Sequence, residues 1–163
     1  MVGVDPGLVG TGWAVVERGG EGPTVVDVGV VATPAGLPLP ERLQRIYEGV
    51  AGVLDAHAPE LLVLEELYSE SRFPRTALLM AHARGVICLA ARQRGIEVLG
   101  LAPAEVKRVV TANGAAPKPQ VQLAVRRLFG LTGPLRSPHA ADALALAFAG
   151  VGRRAPRPLP TSP

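Results

Sequence analysis

Four side chains of this sequence, Asp5, Glu65, His139 and Asp142, have the types and settings to do chemistry. Asp5 follows a short apolar run and precedes Pro6-Gly7, so a carboxylate stands where a buried strand meets a turn; an Asp there also serves as a backbone cap. Glu65 ends the apolar run of residues 61–64 in the same manner, and strands of α/β sheets present chemistry at such ends. His139 and Asp142 are three apart at the start of a helical stretch and share one face, although Asp142 could also be there to complement a helix dipole. Carboxylates gathered at the edges of apolar elements repel one another unless a cation neutralises them. A hard divalent ion with oxygen ligands, Mg²⁺ or Mn²⁺, fits that donor set. Two such ions can activate a water and stabilise a leaving oxygen in phosphodiester hydrolysis without a side-chain nucleophile, and none is apparent here.

The elements that must carry these residues follow from periodicity. Residues 2–4, 10–16 and 25–31 are short β-branched or apolar runs separated by Gly and Pro, which predicts three strands, antiparallel where the links are short. From Pro40 the stripe Leu43, Ile46, Tyr47, Val50, Val53, Leu54 predicts a helix ending near His57. Residues 61–64 form a continuous apolar run suited to a strand covered on both faces. Residues 75–94 read as a helix that is apolar nearly all round, so more than one side needs cover. One side is expected on the sheet, and the other, with Ala83, Gly85 and Ala91, on a second subunit. Gly95 stops this helix, residues 96–101 supply a fifth strand, and helices are expected over 103–112 and 120–129. Ser137 as N-cap with Pro138 at the first position opens a last helix to about Val151. The order βββαβαβααα predicts an α/β fold, a mixed five-stranded sheet flanked by helices, in one domain over residues 1–151.

Composition excludes several classes. The chain has 163 residues, enough for one substantial core and too few for two full domains with linkers. One cysteine, Cys88, rules out an intramolecular disulfide framework and fits a reducing cytoplasm. No run approaches the ~20 apolar residues of a membrane span. The net charge is +3 with 17 Lys and Arg, which permits a polyanionic partner. Residues 152–163, rich in Pro and Arg, read as a disordered tail.

In order and at matching spacing, GVDPG at 3–7, the later glycine of TGW, LVLEELY at 62–68, ARG at 83–85, PAEVK at 103–107, NGAAPKPQV at 113–121 and HAADALALA at 139–147 resemble the RuvC-type Holliday-junction resolvases. The similarity spans nearly everything but the tail. It implies a ribonuclease-H-like fold, a homodimer, and Mg²⁺, two per subunit, with Mn²⁺ able to substitute. It also implies paired incisions across four-way junction DNA beside a branch-migration motor. Asp5, Glu65 and Asp142 match three catalytic acids; His139 stands where many members have a fourth acid and some have His, and is read with them as a metal ligand. Glu66 competes with Glu65; a one-residue shift turns a strand side chain to the opposite face, and it is the match to the family that selects Glu65. The sequence departs from the pattern in the prolines on both sides of Lys118, expected to stiffen a loop there, and in a start only four residues before Asp5, which leaves room for an upstream beginning.

Lys107 and Lys118, the chain's only lysines, match positions that serve DNA handling or cleavage. A lysine near a scissile phosphate neutralises developing charge. Tyr68 matches an aromatic that stacks on a base near the junction point. Arg72, Arg75, Arg84, Arg126 and Arg127 are candidates for phosphate contacts. An actin-like ATPase would need two such domains and a second phosphate loop. A non-catalytic junction binder would not need the acids, and the related nuclease that processes ribosomal-RNA ends is disfavoured by PAEVK and HAADALALA.

Overall fold

The computed structural model describes residues 1–66, 74–133, 135 and 137–153, with Pro74 and Arg75 as helix backbone only. The strands are β1 (Val2–Asp5), β2 (Gly10–Gly19), β3 (Gly22–Ala32), β4 (Leu61–Glu65) and β5 (Glu97–Leu101). The helices are α1 (Leu39–His57), α2 (Pro74–Gln93), α3 (Pro103–Thr111), α4 (Lys118–Leu128) and α5 (Pro138–Val151). One five-stranded sheet runs in the order β3-β2-β1-β4-β5. The short-linked strands β1, β2 and β3 pair antiparallel, while β4 lies parallel to β1 and β5 parallel to β4. This is the mixed five-stranded sheet that the element order predicts, in the ribonuclease-H-like fold that the family resemblance implies.

Strand pleat divides the core in two, because alternate side chains point to opposite faces. Val2, Val4, Leu62 and Leu64 pack with Ile46, Val50 and Leu54 of α1 and with Ala83, Ile87, Ala90 and Ala91 of α2. Leu61 and Val63 face the other way, into a cluster with Val106 and Val110 of α3, Val121 and Val125 of α4, and Leu144, Leu146 and Ala147 of α5. Each large aliphatic side chain so buried contributes roughly 1.5–3 kcal/mol. The fold is therefore three layers, with α1 and α2 on one face of the sheet and α3, α4 and α5 on the other.

Three expectations need correction. Ala83 and Ala91 do not face outward: both are fully buried in the chain's own core. The outward side of α2 instead carries Leu78, 64% exposed, and Leu89, 51% exposed, with exposed Gly85 between them. Lys118 is not in a stiffened loop but is the first residue of α4, with Pro119 in the opening turn, where a proline's missing N–H costs nothing. β2 and β3 run further than their apolar runs, to a hairpin turn at residues 19–22, because ladder hydrogen bonds carry the polar ends. Of the expected tail, Gly152 and Arg153 form a turn after α5, and the rest lies outside the described residues.

Candidate active site

Asp5 and Glu65 end neighbouring parallel strands in matching register: Val4 pairs with Leu64, and each acid follows by one residue. Each shares pleat parity with the residues facing α5, so both carboxylates point to that side of the sheet. Glu66 follows the strand on the opposite parity and packs beside Gly100, so of the two glutamates only Glu65 meets Asp5.

Helix α5 brings the third acid. Ser137 caps it, its Oγ accepting from the His139 N–H at 3.2 Å, an arrangement worth ~1 kcal/mol. The helix then lies close on the sheet, because glycines of β1 and β2 stand beneath its first turns. A Cβ on Gly12 would lie 2.1 Å from the His139 carbonyl oxygen, and one on Gly3 2.2 Å from that of Ala143. No side chain fits at either place. Since Gly12 pairs with Asp5 across β1 and β2, this contact sets the first turns of α5 beside the carboxylate of Asp5.

The result is a cavity of about 310 Å³ lined by Asp5, Glu65, Asp142, Lys107 and Lys118, with apolar walls from α3, α4 and α5. Burial raises the Asp5 carboxyl above its ordinary range and the charge of Asp142 adds to this, while the hydrogen bond from His139 opposes it. Burial likewise raises Glu65, with repulsion from Asp5 and Asp142 next, against Lys107 and Lys118. His139 Nδ1 stands 2.8 Å from Asp5 Oδ2. Lys118 donates from Nζ to Asp142 Oδ2 at 2.6 Å, which raises the lysine further.

These residues fit a divalent cation by chemistry: three oxygen donors, two of them held against ionisation by burial and by one another, open on one cavity. As placed, no three His, Cys, Asp or Glu among the described residues converge as an ion's ligands. Asp142 turns to the Lys118 ammonium and Asp5 to the His139 ring, so each of these two acids has a protein partner. His139 is half-exposed and is not among the residues lining the cavity.

A family model described as crossover junction endodeoxyribonuclease RuvC matches residues 1–150. This chain belongs to the RuvC family. It is 45% identical to RuvC of Rhodopirellula baltica over 150 residues, 92% of this chain and 84% of that one. Against RuvC of Rhodococcus opacus the identity is 47%, covering 91% of this chain and 78% of the relative. Among solved structures, Thermus thermophilus RuvC in complex with a Holliday junction substrate superposes with a TM-score of 0.85 at 34% identity, covering 93% of both chains. A yeast mitochondrial Holliday junction resolvase, 10% identical with a TM-score of 0.62, shares the fold. Membership makes the chain a crossover junction endodeoxyribonuclease.

The three acids, Lys107 and Lys118 named from the RuvC resemblance line this cavity, and His139 joins them through its contact with Asp5. The arginines do not join them as one group. Arg84 sits on α2 with Nη1 buried and without a hydrogen bond, and Arg126 on α4 holds Nε the same way; Arg127 is exposed. Tyr68 and Arg72 lie outside the described residues, as does the side chain of Arg75. Sequence reasoning missed Arg42 and Thr33, which grip the loop after Asp5. Their partner is Leu8, 34 and 25 residues away, and no local pattern announces such a contact.

Proposed function

We propose that this protein resolves four-way DNA junctions by paired, metal-dependent hydrolysis of phosphodiesters, acting as a homodimer in the cytoplasm beside a branch-migration motor. The observation that carries the reading is the meeting of Asp5, Glu65 and Asp142 at one cavity rimmed by the chain's only two lysines. Mg²⁺, or Mn²⁺ in its place, would be held by those three carboxylates with His139 beside them, and would neutralise charge at the phosphodiester and acidify the attacking water. Asp5 and Glu65 aim their oxygens from rigid strand ends, which holds the reacting groups in register. Lys118 and Lys107 offer ammonium groups to the phosphate as charge develops on it. The apolar walls from Val106, Val121 and Leu146 limit water around these charges and so strengthen their interactions.

Support for a junction substrate comes from the T. thermophilus relative, solved with a Holliday junction and alike over 93% of its chain. Support for a dimer comes from Leu78 and Leu89 on the outward side of α2. Among the described residues no helix is long and apolar enough to cross a membrane. The deciding test incubates the purified protein and Asp5→Asn with labelled four-way and duplex DNA, with and without Mg²⁺ or Mn²⁺. Symmetric nicks confined to the junction, requiring metal and absent in Asp5→Asn, are expected. Equal cutting of duplex, or full activity of the variant, would overturn the reading.

A further inference from the structure

We infer that Arg42 and Thr33 are positioning residues for cleavage, locking the loop of residues 6–9 that joins Asp5 to β2. The inference rests on the reading of Asp5 as a member of the catalytic site. Every carbonyl from Gly7 to Val9 is held by a donor from β2, from Thr33 just after β3, or from α1. Gly7 O accepts from the Thr11 hydroxyl at 2.8 Å. Leu8 O accepts from the Thr33 hydroxyl and from Arg42 Nη2, the latter at 2.5 Å. Val9 O accepts from the Thr33 N–H at 3.0 Å. Arg42 Nε also reaches Thr33 Oγ1 at 3.4 Å, joining the two donors.

Thr11 and Thr33 are the buried polar residues of the described core, at 0% and 2% exposure. Both are spent on this one loop. Burying hydroxyls is unfavourable unless they are bonded, and a guanidinium donor makes a stronger bond to a carbonyl than a neutral one does. What the loop touches explains the investment. A Cβ on Gly7 would lie 3.8 Å from His139 Cε1, and one on Gly10 3.2 Å from Cδ2. The loop backbone is thus the wall against which the His139 ring rests while Nδ1 meets Asp5 Oδ2. Movement of the loop would shift both the carboxylate at its start and the ring beside it, and small misplacements of reacting groups cost large factors in rate.

The experiment compares Arg42→Met, Arg42→Lys and Thr33→Val with wild type. Three quantities are read: junction Kd in EDTA, single-turnover cleavage at saturating junction and Mg²⁺ corrected for folded fraction, and metal-free amide exchange at residues 7–10. Arg42→Met and Thr33→Val should cut about tenfold or more slowly, bind junction within about twofold, and exchange the loop amides faster. Arg42→Lys, which keeps a charged donor, should recover most of the rate. Unchanged cleavage per folded molecule, or unchanged loop exchange in Arg42→Met, overturns the inference. Failure of wild type to cut junctions would instead overturn the resolvase reading, with the exchange data still deciding whether the loop is locked.

Discussion

Lys118 Nζ lies 2.6 Å from Asp142 Oδ2, an ion pair that joins the first residue of α4 to the second turn of α5 across the mouth of the acidic cavity. The ammonium balances a carboxylate that also repels Asp5 and Glu65. A lysine so placed can leave its partner when a divalent ion arrives and turn to the phosphate brought with it.

Lys118→Met tests this, since methionine keeps the apolar stem and removes the charge. Cleavage should fall by about 10²- to 10³-fold, the scale of losing one donor to developing charge. Junction binding should weaken only a few-fold, one cation among several having gone. Single-turnover rates and gel-shift affinities measured at one salt concentration check both, and an undiminished rate would leave Lys118 a surface lysine.

The raised carboxyls give a pH prediction for the metal-free protein. Asp5 and Glu65 take up protons more readily folded than unfolded, so the folded state binds more protons in the window between their ordinary and raised values. The contribution of these two acids to stability should therefore be greatest below their ordinary range and be lost as pH rises through the raised values. At neutral pH in EDTA, Asp5→Asn and Glu65→Gln should each melt higher than wild type, and Mg²⁺ should raise the Tm of wild type more than that of either variant. Thermal melts across pH in EDTA decide it; variants melting lower than wild type at neutral pH would show that the acids are not repelling one another.

Much of this site could be read from the sequence, for physical reasons particular to each residue. Asp5 and Glu65 end apolar runs, and a run that is apolar at every position stops where its polar residue stops. Ser137-Pro138 announced α5 because cap and first-turn chemistry are local. The direction of α2 was less legible. Its apolar residues surround the helix, so periodicity could not say that Ala83 and Ala91 turn inward and Leu89 outward. Lys118 was misplaced into a loop because Pro117 and Pro119 signal a turn as readily as a helix start. Arg42 was missed since its partner is the backbone of Leu8, and a carbonyl leaves no trace in sequence.

The outward side of α2 yields a prediction about assembly. Leu78 and Leu89 are large apolar residues left in water by the single chain. If this side is the dimer contact, Leu89→Glu should bury a charge in it and shift the protein to monomer at micromolar concentration, with the Tm of the fold little changed because Leu89 lies outside the core. Light scattering on wild type and variant checks it. A wild-type mass of one chain, or a variant that stays dimeric, removes α2 from the interface.

His139 is the residue whose role most needs a direct measurement. Its Nδ1 meets Asp5 Oδ2 at 2.8 Å, so as placed it orients the carboxylate, whereas the RuvC resemblance makes it a metal ligand. As a ligand, a neutral imidazole brings no charge, so the site should hold Mg²⁺ less tightly than an all-acid site and accept Mn²⁺ more readily. His139→Asp should then lower the Mg²⁺ needed for half-maximal cleavage, while His139→Ala should slow cleavage with both metals and by more than His139→Asp does. Rates against Mg²⁺ and Mn²⁺ for the three proteins separate the cases. If His139→Ala is slow at low metal and recovers fully at high metal, the imidazole serves affinity through Asp5. If it keeps wild-type rates throughout, His139 is a residue of the helix start alone, held there by the Ser137 cap.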